Sequence, residues 1–283
     1  EDDPHTARAL LETAESWLRE QGMQRVRGPF SLSINDETGL LIDGFETPPM
    51  IMMGHAPPYY ARHIAACGYG KAVDVLAYLI GIDFQPSPAM RRLAERVGGD
   101  VHVRPMRRKR LDEDLPILRD IFNDAWSENW GFVPFTEEEF ADLGKNMKFL
   151  VDDEFIQIAE VDGRPAAFIA LLPNINEAIR DLDGRLLPFG WLKLLWRLKV
   201  RYPKTARVPL MGVRRAFHHT PLGPALAFRV IAALRDPSKR RGIEQVELSW
   251  ILEHNDGMRH IIESIGGRAY KRYRVFEKTL AIP

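Results

Sequence analysis

The chain has 283 residues, of which 45% are hydrophobic and 28% charged, a composition typical of a globular protein with one large or two ordinary domains. Lys plus Arg and Asp plus Glu both total 39, so no net charge draws the whole molecule to nucleic acid or to an anionic membrane. The single cysteine, Cys67, excludes an internal disulfide. No run of about 20 apolar residues predicts a membrane span. Together these features predict a protein of a reducing compartment, the cytoplasm.

The first third of the chain predicts a helix, a strand, a long connection, a second helix and a second strand. Residues 6–21 have the spacing of an amphipathic helix. Its apolar side is predicted to carry Ala9, Leu10, Ala14, Trp17 and Leu18. The strand at 24–35 leads into a connection rich in glycine and proline, and the second helix ends at Gly68 before the strand at 72–80. Because the sequence enters a helix at once and lacks an initiator Met, we expect that residues upstream of it have been removed.

A basic helix within 86–99 is predicted to link this part to a longer set of elements, because hydrophobic periodicity stops and restarts around it. From Asp100 the patterns predict a strand, two helices and two strands joined by the hairpin signal Asp-Gly-Arg. An insertion at 174–204 follows, and then a strand, a helix, a strand, a helix and a last strand. In both sets the penultimate helix carries Arg-His-Ile and stops at a glycine before the final strand.

These matching positions predict a duplicated unit. We expect an α/β (α+β) fold of tandem mixed sheets flanked by helices. Residues 1–85 would be the C-terminal half of one domain, 86–99 the linker, and 100–283 a complete domain. The first domain would lack its N-terminal half.

The order of elements from residue 100 resembles that of the GNAT (GCN5-related N-acetyltransferase) superfamily of acyl-CoA N-acyltransferases, and residues 1–82 resemble its C-terminal half. One local match is the strand-to-helix joint LMGVRRAFHHTPLGPAL at 210–226. The other is the block at 249–280, where an Asn opens the last helix, a Gly closes it and a Tyr-rich strand follows. The segments 122–140 and 184–198 are also similar to a bacterial subgroup of two-domain GNAT-like proteins of unassigned substrate.

The resemblance implies that the joint binds the pyrophosphate of acetyl-CoA or another acyl-CoA, since backbone N–H groups at a helix N-terminus favour anions. Pro221 stands where the family has a glycine and has no N–H to donate, and His218 is only partly charged where the family has Gln or Arg. We expect CoA affinity to be about ten- to a hundredfold below that of a full motif. The other interpretation is a proline-capped helix start. The implied cofactor-binding residues are Met211, Gly212, Val213, His218, His219, Thr220, Leu222, Gly223, Pro224 and Asn255.

The catalytic residues are harder to assign from the resemblance. Many family members carry an acid tyrosine seven residues after the Asn of the last helix, but counting from Asn255 gives Ile262, which has no proton to donate. Tyr270 and Tyr273 are the nearby candidates, and packing in the last strand is their other interpretation. Glu247 or Glu253 could act as the base. The alternative interpretation is that Glu247 and Glu253 are exposed strand carboxylates without a catalytic role.

The insertion is predicted to contain an amphipathic helix. Its apolar residues recur at helical spacing, at Trp191, Leu194, Leu195 and Leu198. The basic residues Lys193, Arg197 and Arg201 point to other sides of the predicted helix. The helix could pack on its own domain, form a lid over the acceptor site, form a dimer contact or lie on a membrane surface.

Two functions therefore stay open. The first is an acyl-CoA-dependent N-acyltransferase, with acetyl-CoA as donor and a small amine or peptide as acceptor. The second is a catalytically degenerate GNAT-like module that binds a ligand or a protein partner. The basic MRRKR at 106–110 is predicted to be a solvated turn rather than a nucleic-acid site. We expect no metal, since Asp181–Gly184 does not continue into a calcium loop and no zinc spacing occurs.

Overall fold

The computed structural model describes residues 2–97, 101–147 and 151–280. The end of the predicted linker helix and Asp100 lie outside these residues. The helices are α1 Pro4–Glu20, α2 Tyr59–Ala66, α3 Pro88–Val97, α4 Leu111–Trp126, α5 Glu137–Met147, α6 Ile175–Ile179, α7 Gly190–Lys199, α8 Leu222–Ala233, α9 Arg235–Arg240 and α10 Asp256–Ser264. The strands are β1 Arg25–Gly28, β2 Phe30–Ser31, β3 Glu37–Thr38, β4 Leu40–Asp43, β5 Gly70–Gly81, β6 Val101–Pro105, β7 Ile156–Val161, β8 Arg164–Pro173, β9 Thr205–Val213, β10 Gln245–Leu252 and β11 Arg268–Thr279.

The described residues form two compact units. The first takes its residues from Glu1–Ala77, Trp250–Asn255 and Ala269–Pro283, and the second from Tyr78–Ser249 and Asp256–Arg268. The predicted fold class, α/β with mixed sheets flanked by helices, is confirmed. The division of the chain at 1–85, 86–99 and 100–283 stays a prediction.

The second unit contains a mixed sheet with the strand order β10-β9-β8-β7-β6. The pairs from β6 to β9 are antiparallel, and β9 and β10 are parallel. The β7–β8 hairpin turns at Asp162 and Gly163, whose φ angles of 50° and 72° match the left-handed turn that the Asp-Gly signal predicts. Helices α4 and α8 pack against this sheet and bury its apolar side chains.

In the first unit β11 pairs antiparallel with both β1 and β4. The last strand of the chain therefore completes a sheet whose other strands come from its first third. A small core forms around Leu40, Tyr69 and Phe276. Cys67 is half-buried and packs against this core, as expected of a structural free cysteine.

The predicted apolar side of α1 is wrong. Leu10 and Trp17 on that side are 68% and 59% exposed, whereas Glu15 is buried. Lys278 of β11 donates to both carboxylate oxygens of Glu15 at 2.8 and 2.9 Å, and Leu11 packs on the neighbouring core. The helix is therefore oriented by a buried ion pair, which hydrophobic spacing cannot reveal.

The predicted packing side of the insertion helix α7 is only partly correct. Leu198 is buried and Leu194 half-buried, but Trp191 and Leu195 are exposed. Arg197 instead occupies the protein side, where it donates to the Ala178 carbonyl at 2.6 Å and to Asp181.

The acidic first turn of α4 contains a buried carboxylate that anchors the helix. Asp114 accepts hydrogen bonds from Arg104 at 3.0 and 3.2 Å and from both the backbone and side chain of Arg107 at 2.8 Å. Burial by itself would raise the pKa of Asp114, but the bonds from Arg107 and Arg104 outweigh it and lower the pKa to about 2.

The depressed pKa of Asp114 makes stability depend on pH. Because the value is about 4 in the unfolded chain, the carboxylate stabilises the fold above about pH 4, and this contribution disappears as the pH falls towards 2. We expect Asp114→Asn to lower the free energy of unfolding by about 2 kcal/mol at neutral pH, with a smaller deficit near pH 2.5. Urea unfolding at both pH values measures this. Asp142→Asn, which removes an exposed pair with Lys145, is the control. A pH-independent deficit would contradict the prediction.

Candidate active site

Three buried polar side chains lie together where β9 and β10 run in parallel. Glu247 and Arg207 are register partners on the two strands, and neither has exposed surface. Ser249 donates from Oγ to Glu247 Oε1 at 2.6 Å, and Arg207 Nε lies 3.5 Å from Glu247 Oε1 and donates to Ser249 Oγ at 2.8 Å. Glu247 is therefore not the exposed strand carboxylate of the alternative interpretation. The parallel register brings it into the interior beside a cation.

A buried ion pair of this kind contributes little net stability, because desolvation of the two charges offsets most of their attraction. Buried charges in a sheet are therefore candidates for chemistry. The Glu247 carboxylate can accept a proton through the Ser249 hydroxyl or through a water molecule, and the guanidinium of Arg207 holds it in position.

The parallel pairing of β9 and β10 stops part-way along the strands. It joins residues 205–208 to 245–248, and in the part of the chain that the structure describes it does not reach Met211. On its other edge β9 remains paired with β8 as far as Val213. In the described residues, positions 210–213 of β9 therefore pair with β8 and not with β10.

The three backbone positions predicted to hold a pantetheine arm lie on this part of β9. The Met211 carbonyl accepts from Trp126 Nε1 at 2.8 Å, and the Val213 carbonyl accepts from His218 Nε2 at 2.7 Å. A Cβ on Gly212 would lie 3.2 Å from both Ala125 and Phe168. Two of the three carbonyls are thus engaged by side chains of the same unit.

The joint between β9 and α8 has few backbone N–H groups to offer an anion. Within residues 218–223 the N–H groups of His218, Thr220 and Gly223 donate to Arg215, Phe217 and Thr220 carbonyls at 3.0, 3.1 and 3.2 Å. Pro221 is the N-cap of α8 and has no N–H. Among the described bonds of this segment, only the N–H groups of the two remaining residues, His219 and Leu222, are left for a ligand.

Gly223 is required by packing whether or not a ligand binds. A Cβ at this position would lie 2.4 Å from the Phe217 carbonyl oxygen. His219 and Thr220 are exposed, and Leu222 and Pro224 are half-buried. The predicted phosphate-binding residues therefore occupy one turn at the start of α8, and their role stays a prediction.

An aromatic cluster lies beside Met211, at the end of α4. Phe122 and Trp126 stack with ring centres 5.1 Å apart, and Phe135 lies 5.1 Å from Phe122. Asn123 fixes the following loop by bonding both the N–H and the carbonyl of Phe135, at 2.9 and 3.0 Å. This cluster therefore places aromatic side chains beside the Met211 carbonyl of β9.

Three predicted site residues belong to the first unit. Tyr273 is fully buried in β11 opposite Leu41, and Tyr270 is half-buried with Lys271 Nζ 5.4 Å from its ring centre. Asn255 directly precedes α10 and donates its N–H to the Leu252 carbonyl at 2.9 Å. The other proposed base, Glu253, is also in this unit and accepts from Lys71 at 2.6 Å. Their roles in chemistry stay predictions.

Sequence reasoning missed Tyr78, a phenol of the second unit. Ile262 is fully buried in α10, and Tyr78 of β5 donates to Glu263 Oε1 at 2.9 Å and accepts from Arg259 Nε at 3.2 Å. Burial raises the pKa of Tyr78. It also missed Arg207 and Ser249. The sequence did show Arg207 as a charged residue inside an apolar strand. That position indicates a buried ion pair only when the neighbouring strand and its register are known.

Among the described residues, no group of three or more His, Cys, Asp or Glu side chains could hold a metal ion. Among the same residues, no helix is both long enough and apolar enough to cross a bilayer.

Solved structures with this fold are GCN5-related N-acetyltransferases. The enzyme from Sphaerobacter thermophilus superimposes with a TM-score of 0.57 at 15% identity, covering 96% of this chain and 67% of that one. A tandem GNAT protein from the clavulanic acid biosynthesis pathway gives a TM-score of 0.52 at 13% identity, covering 97% and 70%. The fold is that of the GNAT superfamily, so the predicted resemblance is confirmed.

Sequence comparison gives the nearer relationship. Protein YghO of Escherichia coli strain K12 is 54% identical over 280 residues, which cover 99% of this chain and 72% of YghO. The bacterial ceramide synthase of Caulobacter vibrioides is 47% identical over 281 residues, covering 99% and 73%. No protein-family profile matches the sequence. The chain belongs to the family that contains these two bacterial proteins.

Proposed function

We propose that this chain is an N-acyltransferase that joins a fatty acyl group to the amino group of a long-chain amino alcohol, with an acyl-CoA thioester as donor. The observation that carries the proposal is the 47% identity, over 99% of the chain, to a relative named bacterial ceramide synthase. A ceramide is the amide of such an amino alcohol. The GNAT fold supports acyl transfer as the reaction.

Glu247 is the base in this proposal. It takes the proton from the acceptor amine through Ser249 or water while the new C–N bond forms and the C–S bond of the thioester breaks. Arg207 acts as a positioning residue, because it contacts the Glu247 carboxylate and the Ser249 hydroxyl rather than the reacting atoms. The thiolate leaves with one proton, for which Tyr78, in the same unit as Glu247, is a candidate donor.

The donor would lie beside residues 211–213 of β9, with its pyrophosphate near the N–H groups of His219 and Leu222. Two backbone N–H groups make a weak anion site, because a glycine-rich joint presents several N–H groups to the pyrophosphate. Trp126 and Phe135, the half-buried rings that pack on the buried Phe122, would offer apolar contact for an acyl chain beside Met211. We therefore expect the acyl chain to supply much of the donor affinity, and this favours a long-chain over an acetyl donor.

A product assay tests the function directly. The purified chain is incubated with sphinganine and either palmitoyl-CoA or acetyl-CoA, and the amide is detected by mass spectrometry. We expect N-palmitoyl product, with little or no N-acetyl product. A parallel arm with acetyl-CoA and small amines or peptides tests the acceptors that the resemblance alone implies. Binding of thioester or amine without any amide product would favour the degenerate binding module instead.

A further inference from the structure

The solvent side of α7 and of the segment before it is unusually apolar. Leu192, Leu195 and Trp196 follow the i, i+3, i+4 spacing of one helix face, and they are 47%, 50% and 49% exposed. Leu186, Leu187 and Phe189 extend this surface ahead of the helix, with Leu187 80% exposed. Large hydrophobic side chains are normally exposed singly, so a contiguous group of this size indicates an interaction surface.

Of the three basic side chains of α7, Arg197 is largely covered by the protein, whereas Lys193 and Lys199 are exposed. Lys193 donates to Asp181 at 2.6 Å, and Arg197 binds both Asp181 and the Ala178 carbonyl. These bonds lower the pKa of Asp181, with the Arg197 bond as the main cause. The Arg197 bonds and the buried Leu198 mark the protein side of the helix, so the face that carries Leu192, Leu195 and Trp196 is turned outward.

The segment around this face is basic in a chain with no net charge. Residues 174–204 contain seven Lys or Arg and three Asp or Glu, a net charge of +4, whereas the whole chain has a net charge of zero. Arg180, Arg185 and Arg201 are exposed on either side of the apolar group. A rim of cations around Trp, Phe and Leu side chains is complementary to a surface with an apolar interior and anionic headgroups.

We propose that the exposed face of α7 with Leu186, Leu187 and Phe189 docks onto the interfacial region of an anionic phospholipid bilayer. The apolar side chains enter the boundary between headgroups and acyl chains, and the basic rim contacts the phosphates. The association is peripheral, since no helix of the described residues could cross a bilayer. A second copy of the chain fits this surface less well, because two like-charged rims of +4 would repel each other. The inference does not depend on which acyl acceptor the protein uses.

Vesicle flotation tests the proposal with the full chain at about physiological salt. We expect binding to vesicles of phosphatidylcholine with 25% phosphatidylglycerol, and at least about tenfold weaker binding to pure phosphatidylcholine. Leu195→Ser/Trp196→Ser should weaken binding to the anionic vesicles by at least about tenfold, because both side chains lose their inserted apolar area. Arg185→Gln/Arg201→Gln should weaken it less, and only on anionic vesicles.

Leu10→Ser/Trp17→Ser is the matched control, since it removes one leucine and one tryptophan that are at least as exposed on α1. Circular dichroism confirms that each variant is folded. The control should bind vesicles as the unmodified chain does. No vesicle binding, equal binding to neutral and anionic vesicles, or an equal loss in the control would overturn the proposal. Sedimentation velocity showing a dimer that Leu195→Ser/Trp196→Ser abolishes would assign the surface to a second copy instead.

Discussion

Arg207→Met is expected to lower the free energy of unfolding by about 3–5 kcal/mol. The substitution removes the guanidinium that lies 3.5 Å from Glu247 Oε1 and bonds Ser249, while the carboxylate stays buried without exposed surface. Methionine fills a similar volume, so the loss reports the electrostatic change rather than a cavity. Denaturant unfolding followed by circular dichroism measures it.

The control for this prediction is Lys204→Met, at the residue just before β9. Lys204 forms an ion pair with Glu244 at 2.7 Å, but both side chains are largely exposed, so we expect no measurable change. Arg207→Met/Glu247→Leu should recover much of the stability lost in the single variant, because the buried charge disappears with its partner. A single variant as stable as Lys204→Met would show that the buried pair has no energetic role.

Glu247→Gln is expected to lower kcat for amide formation by about 10²–10³, with a smaller change in KM. Glutamine keeps the shape and can still accept a hydrogen bond from Ser249, but it cannot take a proton from the amine. The variant also leaves Arg207 with a neutral partner. The rate is therefore measured at a temperature where circular dichroism shows the protein folded.

Glu253→Gln separates this effect from the general loss of a carboxylate. Glu253 is the other predicted base, and it is half-buried and bound by Lys71 at 2.6 Å and by the Asp74 N–H at 3.0 Å. We expect this variant to retain most of the activity. Glu247→Gln with full activity, or a larger loss in Glu253→Gln, would exclude Glu247 as the base.

The order of elements and the superfamily could be predicted from the sequence because they depend on local patterns. The Asp-Gly turn at 162–163 needs left-handed backbone angles that those residues allow, and the structure has them. The joint at 210–226 and the block at 249–280 are likewise contiguous stretches. Gly223 could be singled out from its spacing alone, although the structure shows that the Phe217 carbonyl already requires a glycine there.

The faces of helices and the partners of charges could not be predicted, because they depend on contacts between distant residues. Hydrophobic spacing placed Trp17 and Leu195 on packing faces, but the ion pairs of Glu15 with Lys278 and of Asp181 with Arg197 lie on the inward side of each helix. Those pairs join residues far apart in the chain or on different elements. A residue's spacing within one helix holds no information about them.

The sequence by itself therefore determined the GNAT architecture and the absence of an internal disulfide, whereas the stretch of chain that would hold a donor stays a prediction. Only the tertiary structure decided that Glu247 is buried against Arg207 and Ser249, and that α7 turns its apolar face to solvent. The reason is physical. Local patterns set backbone conformation, whereas burial, charge pairing and strand register are set by which distant segments pack together.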